Sequence, residues 1–469
     1  MTEGAHYDYD LIAIGTGPAG QKAAIAAAKA GYRAAIVEKN TSVGGICVQT
    51  GTIPSKSFRE AVLYLSGWRE RAFYGASYTV KREITVSDLL VRCDYVIKHE
   101  MDVIQAQMHR SGVELIRAAA SFVDSHTLAL TMTDGSGAKH LSAAHIVIAT
   151  GTDAARSKDV IIDDCAIFTS DGILKLDRIP RTLTVIGAGV IGCEYASMFA
   201  ALGTRVTLID ARPTLLSFVD EEIAGALAYH LRENDVTLRL GETVSDVRCL
   251  PDGHVATKLA SGKHLVTEKA LYSVGRVGAT AGLNLAGAGL ATDDRGRLVV
   301  NEHYQTAVGH IYAVGDVIGF PALASTAMEQ GRLAASHAFG LPASSVPALF
   351  PYGIYTIPEI SMVGKTEAEL TKENVPYEIG KASYKEIARG QIIGDETGMV
   401  KLIFHADTEQ LLGVHIIGEG ASELVHIGQA VLTFGGTAEY FVNTVFNYPT
   451  LAECYKVASF NALNRIRAS

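Results

Sequence analysis

The feature that most constrains this chain is a glycine-rich turn that occurs twice in the same setting. Each copy follows a short apolar run, precedes an Ala-rich or aliphatic segment, and is followed by an acid at the end of the next apolar run. The first glycine and the acid are Gly15 and Glu38 in one copy, Gly187 and Asp210 in the other, and they are 23 residues apart in both. The pattern predicts two strand–turn–helix–strand units of one kind in a single chain.

Hydrophobic patterning gives the expected elements. The first unit is predicted as strand 9–14, helix 21–30 and strand 34–37, and the second as strand 182–186, helix 193–201 and strand 206–209. Between them we expect a helical region over about 56–110 and strands that end near 146–151. From about residue 353 the predicted elements are strands 400–404 and 411–417 and helices 422–434 and 450–466. These indicate a third, α+β region.

The two turns have the spacing of dinucleotide-binding loops. Their residues are Gly15, Gly17, Pro18, Ala19 and Gly20 in the first, and Gly187, Gly189, Val190, Ile191 and Gly192 in the second. In such a loop the glycines allow a tight turn, the approach of a pyrophosphate and close helix–strand packing, and the helix amino terminus attracts the phosphates. The alternative is a pair of glycine-rich turns without a ligand, but two copies with matching acids favour two bound dinucleotides.

The acids at the ends of the second strands indicate which riboses bind. Glu38, which is followed by Lys39, and Asp210 are each expected to accept hydrogen bonds from an adenosine ribose. Asp210 favours an unphosphorylated ribose, because its negative charge would repel a 2′-phosphate. Arg212 is expected either to offset that charge and admit NADP or to be a solvated loop arginine.

Composition limits the other possibilities. The 469 residues are enough for about three domains, 48% are apolar and the net charge is −9 without a basic run, so nucleic acid is not expected as a partner. The polar stretch 1–10 does not resemble a signal peptide, and no run is long enough to span a membrane. Six scattered cysteines indicate a reducing compartment, and we expect a cytoplasmic protein.

Further motifs resemble the flavin disulfide reductase family, which includes lipoamide dehydrogenase, glutathione reductase and mercuric reductase. The motifs are Gly44-Gly45-Ile46-Cys47, Gly51-Thr52-Ile53-Pro54-Ser55-Lys56, Ala149-Thr150-Gly151, Glu194 in the second unit, and Ala313-Val314-Gly315-Asp316. The resemblance covers essentially the whole chain. It implies an α/β fold with two Rossmann-type dinucleotide-binding domains and a C-terminal α+β dimerisation domain in a homodimer or higher homo-oligomer. The implied domains are 1–155 with 276–345 for FAD, 156–275 for NAD(P), and 346–469 for the interface.

The chain departs from the family pattern at two positions. The family has two cysteines five positions apart, whereas this chain has Cys47 and then Thr52. The family also has a C-terminal His-Pro with a glutamate five positions after the histidine, whereas here the histidine position is Tyr448 and the glutamate is Glu453. A hydroxyl cannot form a disulfide, and a tyrosine, with an ordinary pKa of about 10, is a poor base at neutral pH. Dithiol–disulfide exchange is therefore not expected.

The resemblance also implies roles for single residues. Lys56 is expected beside flavin N5 and paired with Glu194, and Asp316 is expected to bind the ribityl chain of FAD, with a helix N-cap as the alternative. Cys47 is expected to be structural or in mild contact with the flavin, while Thr52, Tyr448 and Glu453 are expected near it, the last two from a partner subunit. The remaining implied cofactor contacts are Lys39, Gly44, Gly45, Thr150, Gly151, Gly275, Arg276, Gly315 and Ala324. For Arg276 a structural role is the alternative.

Without dithiol–disulfide exchange, the family features that this chain keeps are a flavin site, a nicotinamide site and the fold. The expected reaction passes hydride from C4 of NADPH or NADH to flavin N5, and from there to NAD+ or NADP+, without a redox disulfide. A subgroup of the family with this activity shares the segments 51–56, 353–360, 439–444 and 447–450. An NAD(P)H:quinone or other acceptor reductase is the alternative, and a binding protein that reports nicotinamide state is a third possibility. Glu423 and His426 have helical spacing that could imitate a metal pair, but no metal is expected.

Overall fold

The computed structural model describes residues 6–157, 160–343 and 349–467. The described chain falls into two compact units. The first unit lies within Met1–Phe58, Leu90–Ala155 and Gly275–Val346, and the second within Arg59–Leu89, Arg156–Val274 and Pro347–Ser469.

The elements are numbered in chain order. The strands are β1 Tyr9–Ile14, β2 Ala34–Glu38, β3 Glu114–Phe122, β4 Thr127–Met132, β5 Ala138–Ile148, β6 Thr152–Ala154, β7 Ile167–Phe168, β8 Thr182–Ile186, β9 Arg205–Asp210, β10 Thr237–Leu240, β11 Val244–Cys249, β12 Val255–Leu259, β13 His264–Thr267, β14 Lys269–Tyr272, β15 Arg276–Gly278, β16 Ile311–Ala313, β17 Tyr352–Ile354, β18 Ile360–Gly364, β19 Tyr377–Ser383, β20 Met399–His405 and β21 Leu411–Ile417. The α-helices are α1 Pro18–Lys29, α2 Gly45–Gln49, α3 Thr52–Leu65, α4 Arg71–Tyr74, α5 Val86–Arg110, α6 Val190–Ala201, α7 Glu221–Glu233, α8 Ala324–Ala338, α9 Glu367–Glu373, α10 Ala388–Ile393, α11 Ala421–Thr433, α12 Ala438–Asn443 and α13 Glu453–Ile466.

The first unit is built on a parallel sheet in the order β3-β2-β1-β5-β16. Its central strands are apolar and buried along most of their length, as expected of a parallel sheet covered on both faces. β3, β4 and β5 also form an antiparallel meander. The carboxyl ends of β1 and β2 therefore lie side by side, which places the turn after β1 next to Glu38.

Helices α1 and α8 of this unit pack closely because small residues line their contact. A Cβ built on Gly331 would lie 2.1 Å from the carbonyl oxygen of Ala19, so only glycine fits at this crossing. Ala23, Ala27 and Ala334 are fully buried in the same core. The Ala-rich composition of α1 thus sets how near α8 approaches the first glycine turn.

The second unit contains a parallel sheet of the same kind, in the order β10-β9-β8-β14-β7. α6 follows β8 as α1 follows β1, which confirms the predicted repeat. A small antiparallel sheet, β11-β12-β13, follows β10 in the chain. The carboxyl ends of β8 and β9 again lie together, and they bring the second glycine turn next to Asp210.

The C-terminal part of the second unit is an antiparallel sheet in the order β17-β18-β21-β20-β19. α11 and α13 pack on it around a core that includes Phe404, Phe441 and Tyr455. Lys401 of β20 and His415 of β21 are paired in register, and both side chains are fully buried. This sheet therefore has two ionisable groups in its interior.

The ammonium group of Lys401 is held by an acidic cluster, which is Asp220, Glu222 and Glu367. Nζ lies 2.8 Å from Oδ1 of Asp220 and 3.2 Å from Oε2 of Glu222, and it also contacts Oε1 of Glu367. Asp220 is the N-cap residue of α7, Glu222 is in the first turn of α7, and Glu367 begins α9. The acidic cluster thus joins α7, which lies beside the second parallel sheet, to the C-terminal sheet.

The predicted elements match the structure with a few corrections. The helical region expected over about 56–110 is broken, because Gly67 and Gly75 have positive φ values of 64° and 91° and end their helices. The last helix begins at Glu453, three residues later than predicted, since Thr450 to Ala452 form a turn. The expected domain boundary at 345/346 and residues 1–5 lie outside the described residues, and the three-domain division stays a prediction. Among the described helices, none is long and apolar enough to cross a bilayer.

Candidate functional site

The glycines where β1 passes into α1 give the first turn a shape that side chains would block. A Cβ at Gly15 would lie 2.5 Å from the carbonyl oxygen of Ala149, and a Cβ at Gly20 would lie 2.0 Å from that of Gly15. At Gly17 the space for a Cβ is open. Gly15 and Gly20 therefore serve the close packing of strand and helix, whereas Gly17 leaves room at the amino end of α1, where Pro18 is the first helical residue.

Residues from two later segments approach the same turn. Gly45 begins α2, and a Cβ on it would lie 3.0 Å from Cα of Gly17. Gly315 has a φ of 75°, and a Cβ there would lie 3.2 Å from Cβ of Ala19. The N–H of Gly315 donates to Oε1 of Gln330, 2.8 Å away in α8. The structure thus brings together the first turn, Gly45 and Gly315, while their predicted contact with FAD stays a prediction.

Glu38 lies at the end of β2 with a defined set of partners. Its Oε2 accepts from the N–H of Thr16 at 3.1 Å and from Oγ1 of Thr16 at 2.5 Å, and its Oε1 accepts from the N–H of Asn40 at 2.9 Å. Oγ1 of Thr16 also accepts from the N–H of Gly44. Sequence analysis missed Thr16, although its place inside the glycine turn was a usable signal. Lys39, the next residue, is exposed.

Beside the first turn, Thr150 has a buried hydroxyl, and Oγ1 has no hydrogen-bond partner among the described residues. An uncompensated buried hydroxyl is costly. Together with the open space at Gly17, it fits a dinucleotide in which a polar group completes this hydrogen bond. Gly151 follows with a φ of 70°, and thus keeps the chain in a turn that L side chains rarely adopt.

Asp316 is half-buried, and burial raises the pKa of its carboxyl while Arg276 opposes that shift. Arg276 donates from Nε to Oγ1 of Thr152 and from Nη2 to the carbonyl oxygen of Thr152, both at 2.8 Å. The alternative N-cap role of Asp316 is wrong, because Val314 precedes the 3-10 turn that contains it and α8 begins only at Ala324. Asp316 is left as a polar group on the wall of the first-unit site.

Cys47 in α2 and Thr52 at the start of α3 are brought together by the turn between these helices. The hydroxyl of Thr52 lies close enough to the thiol to act on its pKa. Burial raises the pKa of the Cys47 thiol, the neighbouring Thr52 and Lys56 oppose the rise, and Asp316 adds to it. Nζ of Lys56 donates to Oγ of Ser55 at 3.2 Å. The thiol is thus protonated at neutral pH and has a hydroxyl, not a sulfur, as its neighbour.

The second glycine turn repeats the geometry of the first. A Cβ at Gly187 would lie 2.4 Å from the carbonyl oxygen of Ser273, and one at Gly192 would lie 1.8 Å from that of Gly187, while the space at Gly189 is open. Val190 and Ile191 form the first turn of α6. As in the first turn, two glycines allow close packing and the third leaves open space. This arrangement supports a second phosphate site at the amino end of α6.

Asp210 lies at the end of β9 and is largely buried, and Arg212 covers it. The guanidinium forms a two-point contact with the carboxylate, from Nε to Oδ1 at 2.9 Å and from Nη2 to Oδ2 at 2.7 Å. The guanidinium thus offsets the charge of Asp210 while its side chain stays about half exposed, and the expected role of Arg212 towards NADP stays a prediction. Burial works to raise the pKa of Asp210, but the hydrogen bonds from Arg212 and from the N–H of Ala188 outweigh it and lower the pKa.

Glu194 is buried in α6, and its Oε1 accepts from the N–H of Tyr355 at 2.8 Å. One turn later, Oγ of Ser197 accepts from the N–H of Ile357 at 3.0 Å. Glu194 and Ser197 thus fix the segment 355–357, which follows β17, against α6. The expected pairing of Glu194 with Lys56 stays a prediction.

Gly275 and Arg276 lie where β15 begins. Gly275 has a φ of 130°, and its carbonyl oxygen accepts from the N–H of Ala155 at 3.0 Å. β15 pairs with β6 in an antiparallel ribbon. Arg276 is therefore held by backbone pairing as well as by its side-chain contacts with Thr152, and its predicted cofactor contact stays a prediction.

Tyr448 and Glu453 lie near the start of α13. The Tyr448 side chain is 69% exposed, which leaves it available to another molecule. Oε2 of Glu453 is buried without a hydrogen-bond partner among the described residues. The site roles predicted for both residues stay predictions.

The acidic cluster has ligand atoms within 4.8 Å of one another, a spacing that could hold a metal ion. The ammonium group of Lys401 contacts all three acids, so the cluster is an ion-pair network. His426, which sequence spacing placed near Glu423 on α11, shares a hydrogen bond of 2.8 Å with Oε1 of Gln429.

Comparisons with known proteins agree with this geometry. The family model described as pyridine nucleotide-disulphide oxidoreductase matches residues 9–331, and the model of the dimerisation domain of the same family matches residues 350–459. The chain belongs to the pyridine nucleotide-disulphide oxidoreductase family. The predicted family and the α/β fold class are therefore confirmed, and so is FAD as cofactor with nicotinamide dinucleotides as substrates. The dimerisation-domain match supports a homo-oligomer.

Relatives and solved structures of this family resemble the whole chain. A soluble pyridine nucleotide transhydrogenase of Mycobacterium tuberculosis is 53% identical over 98% of both chains, and one of Pectobacterium atrosepticum is 47% identical over 99% of this chain and 100% of its own. The crystal structure of LpdA from Mycobacterium tuberculosis is 26% identical with a TM-score of 0.88, over 96% of this chain and 99% of that one. The HOCl-induced flavoprotein disulfide reductase RclA from Escherichia coli is 25% identical with a TM-score of 0.86, over 96% and 99%.

Proposed function

We propose that this protein is an FAD-dependent soluble pyridine nucleotide transhydrogenase, which passes hydride between NADPH and NAD+ and in the reverse direction. The observation that carries the proposal is that Cys47 has Thr52, a hydroxyl residue, as its neighbour within an otherwise intact two-dinucleotide fold. A disulfide reductase needs a second sulfur at that place. The names of relatives at 47–53% identity support this function, which was also the one expected from the sequence.

The first-unit residues are suited to holding FAD. The open amino end of α1 receives the pyrophosphate, Glu38 the adenosine ribose, and Thr150 and Asp316 the polar groups of the remaining chain. Bound FAD supplies a two-electron carrier that takes hydride from one nicotinamide and gives it to the next. Lys56 adds a positive charge that stabilises developing negative charge in this site.

The second-unit residues are suited to holding the nicotinamide nucleotides. Gly189 leaves space for a pyrophosphate at the amino end of α6, and Asp210 with Arg212 lies where the adenosine ribose binds in such folds. One site of this kind serves donor and acceptor in turn. The first product must leave before the second nucleotide enters, which predicts parallel lines in double-reciprocal plots, whereas intersecting lines would contradict the sequence of events.

We further propose a cytoplasmic homodimer. The match to a dimerisation domain and the exposed side chains of Val445 and Tyr448 support self-association. The scattered cysteines are those of a protein from a reducing compartment. Sedimentation of the holoenzyme tests the dimer, and a monomer at micromolar concentration would refute it.

The assay that tests the function supplies purified holoenzyme with NADPH and thio-NAD and follows the reduction of thio-NAD. Parallel reactions contain a lipoamide-type disulfide or a soluble quinone as the acceptor. Fast thio-NAD reduction without disulfide turnover is the expected result. Fast quinone turnover without thio-NAD reduction would replace the proposal by an NAD(P)H:quinone reductase.

A further inference from the structure

Asp210 has no acceptor capacity left for a ribose. Oδ1 accepts from the N–H and Nε of Arg212 at 2.8 and 2.9 Å, and Oδ2 accepts from the N–H of Ala188 and Nη2 of Arg212 at 2.6 and 2.7 Å. A carboxylate offers about four acceptor positions. Two of these four bonds come from the guanidinium, so ribose hydroxyls can reach Asp210 only when the Arg212 side chain leaves.

Glu38, the equivalent acid of the first unit, provides an internal comparison. Within the described residues it accepts three hydrogen bonds, two from Thr16 and one from the N–H of Asn40, and none comes from a cation. Glu38 thus keeps one acceptor position for a single, permanent ribose. The two acids occupy the same place in the repeat. The ion pair with an arginine is therefore specific to Asp210 and the second glycine turn.

The backbone around Arg212 is fixed, whereas its side chain is not enclosed. The N–H of Gly241 donates to the carbonyl oxygen of Arg212 at 2.9 Å, and the N–H of Glu242 donates to that of Asp210 at 3.1 Å. The side chain of Arg212 is 48% exposed, against 8% for Asp210. A rotation of the arginine side chain therefore uncovers the acid without any movement of β9 or β10.

The charges nearby suit a phosphate as the alternative partner of Arg212. Asp210 and Arg212 together are neutral, and the neighbouring Glu242 is paired with Lys263 at 2.7 Å. A 2′-phosphate can replace Asp210 as the partner of the guanidinium. It then accepts two charge-assisted hydrogen bonds, because the guanidinium group matches the geometry of phosphate as well as that of carboxylate.

We propose that Arg212 is a two-position specificity switch for the adenosine ribose. With NADP(H), the guanidinium turns to the 2′-phosphate. With NAD(H), it withdraws into solvent, and the ribose hydroxyls donate to Asp210. The inference rests on the proposed function, because only an enzyme that uses both nucleotides in one site needs both positions.

The test measures binding of two probes that lack nicotinamide, adenosine 2′,5′-bisphosphate and adenosine 5′-monophosphate, to the FAD-loaded protein by calorimetry. Arg212→Ala is expected to weaken the bisphosphate by about ten- to a hundredfold, as expected for loss of charge-assisted bonds. The monophosphate is expected to bind as before or more tightly. Arg212→Lys keeps the charge but not the fork and should recover part of the bisphosphate affinity.

Two further variants complete the design. Asp210→Asn should weaken the monophosphate and leave the bisphosphate unchanged or tighter. Arg205→Ala, an exposed arginine at the opposite end of β9, serves as the matched control and should change neither affinity. FAD absorbance and thermal unfolding of each variant establish that it is folded.

The outcomes separate this inference from the function on which it rests. Equal weakening of both probes in Arg212→Ala, or no change in either, overturns the switch even if thio-NAD is reduced normally. A wild-type protein that binds only one of the probes also overturns it. If the probes respond as expected but thio-NAD is not reduced, the switch stands and the transhydrogenase function fails.

Discussion

The hydroxyl of Thr52 lies close enough to the thiol of Cys47, five positions earlier in the chain, to act on its pKa. Burial, the largest influence, keeps the pKa of this thiol above its ordinary value although Thr52 acts to lower it. A protonated thiol is a weak nucleophile. The chain therefore retains the scaffold of a redox disulfide, with neither the second sulfur nor the thiolate that exchange requires.

Thr52→Cys should restore a disulfide. Because the hydroxyl of Thr52 lies close enough to the thiol of Cys47 to act on its pKa, a second sulfur at position 52 should come within bonding reach after a small rotation. After incubation with oxidised glutathione and removal of the excess, the variant should show one pair of titratable thiols fewer than its reduced form. Cys47→Ser combined with Thr52→Cys is the control and should form no such internal pair. An unchanged thiol count in the single variant would show that α2 and α3 hold the two positions too far apart.

Gly192→Ala should disable nicotinamide binding while FAD is retained. The new Cβ would lie 1.8 Å from the carbonyl oxygen of Gly187, so the turn and the amino end of α6 must shift. We expect the Kd for NADPH to rise by at least about tenfold, or about 1.4 kcal/mol, with an unchanged ratio of flavin to protein absorbance.

Gly20→Ala is the matched variant, because its Cβ would lie 2.0 Å from the carbonyl oxygen of Gly15 in the first unit. It should lose FAD during purification instead. If both variants lost FAD equally, the assignment of one dinucleotide to each glycine turn would be wrong.

Lys401→Met should destabilise the protein strongly. The substitution leaves Asp220, Glu222 and Glu367 next to one another without the buried cation that they surround. Removing one partner of a buried ion pair costs about 3–5 kcal/mol, which should appear as a lower urea midpoint. Lys365→Met removes a half-exposed partner of Glu373 and should cost less than about 1 kcal/mol. Similar midpoints for both variants would mean that the acidic cluster contributes no more than a surface pair.

His415 should make the protein acid-sensitive. Burial lowers its pKa, which Asp220 and the bond from Nε2 to the carbonyl oxygen of Lys365 only partly oppose. The unfolded state, with a histidine pKa of about 6.5, then binds more protons than the folded state below that pH. The contribution of His415 to the free energy of unfolding is therefore complete above about pH 6.5. It declines as the pH falls towards the pKa that His415 has in the folded state.

The variant that tests this is His415→Gln, which keeps an N–H donor but cannot be protonated. Its urea midpoint should fall less than that of the wild type between about pH 6.5 and pH 5. His140→Gln, at an exposed position of β5, is the control, and its urea midpoint should change with pH as that of the wild type does. A wild-type slope in His415→Gln would assign the acid sensitivity to other groups.

Sequence patterns predicted the repeated units well because their determinants are local. β1, β8 and β21 have the predicted bounds, since each is a short apolar run between polar or glycine residues. Gly15, Gly20, Gly187 and Gly192 all stand where an added Cβ would meet a carbonyl oxygen, as the dinucleotide pattern required.

What the sequence did not reveal depends on contacts between distant segments. The acidic cluster and Lys401 come from α7, α9 and β20, and nothing in the neighbourhood of any one of them indicates the others. The sequence leaves open whether Arg212 offsets the charge of Asp210 or is a solvated loop arginine, because a spacing of two residues does not determine the rotamer that pairs them. The hydrogen bond from Gly315 to Gln330 likewise depends on how α8 packs.

The ion pairs of Lys401 limit how this chain can be recombined with its relatives. A chimaera that takes its C-terminal segment from another protein keeps Asp220 and Glu222 but inherits whatever residue stands at position 401. If that residue is neutral, the graft leaves two acids facing an apolar sheet, however well the backbones superpose. A donor segment for such a hybrid should therefore be chosen first for a positive charge at position 401, and only then for its overall sequence identity.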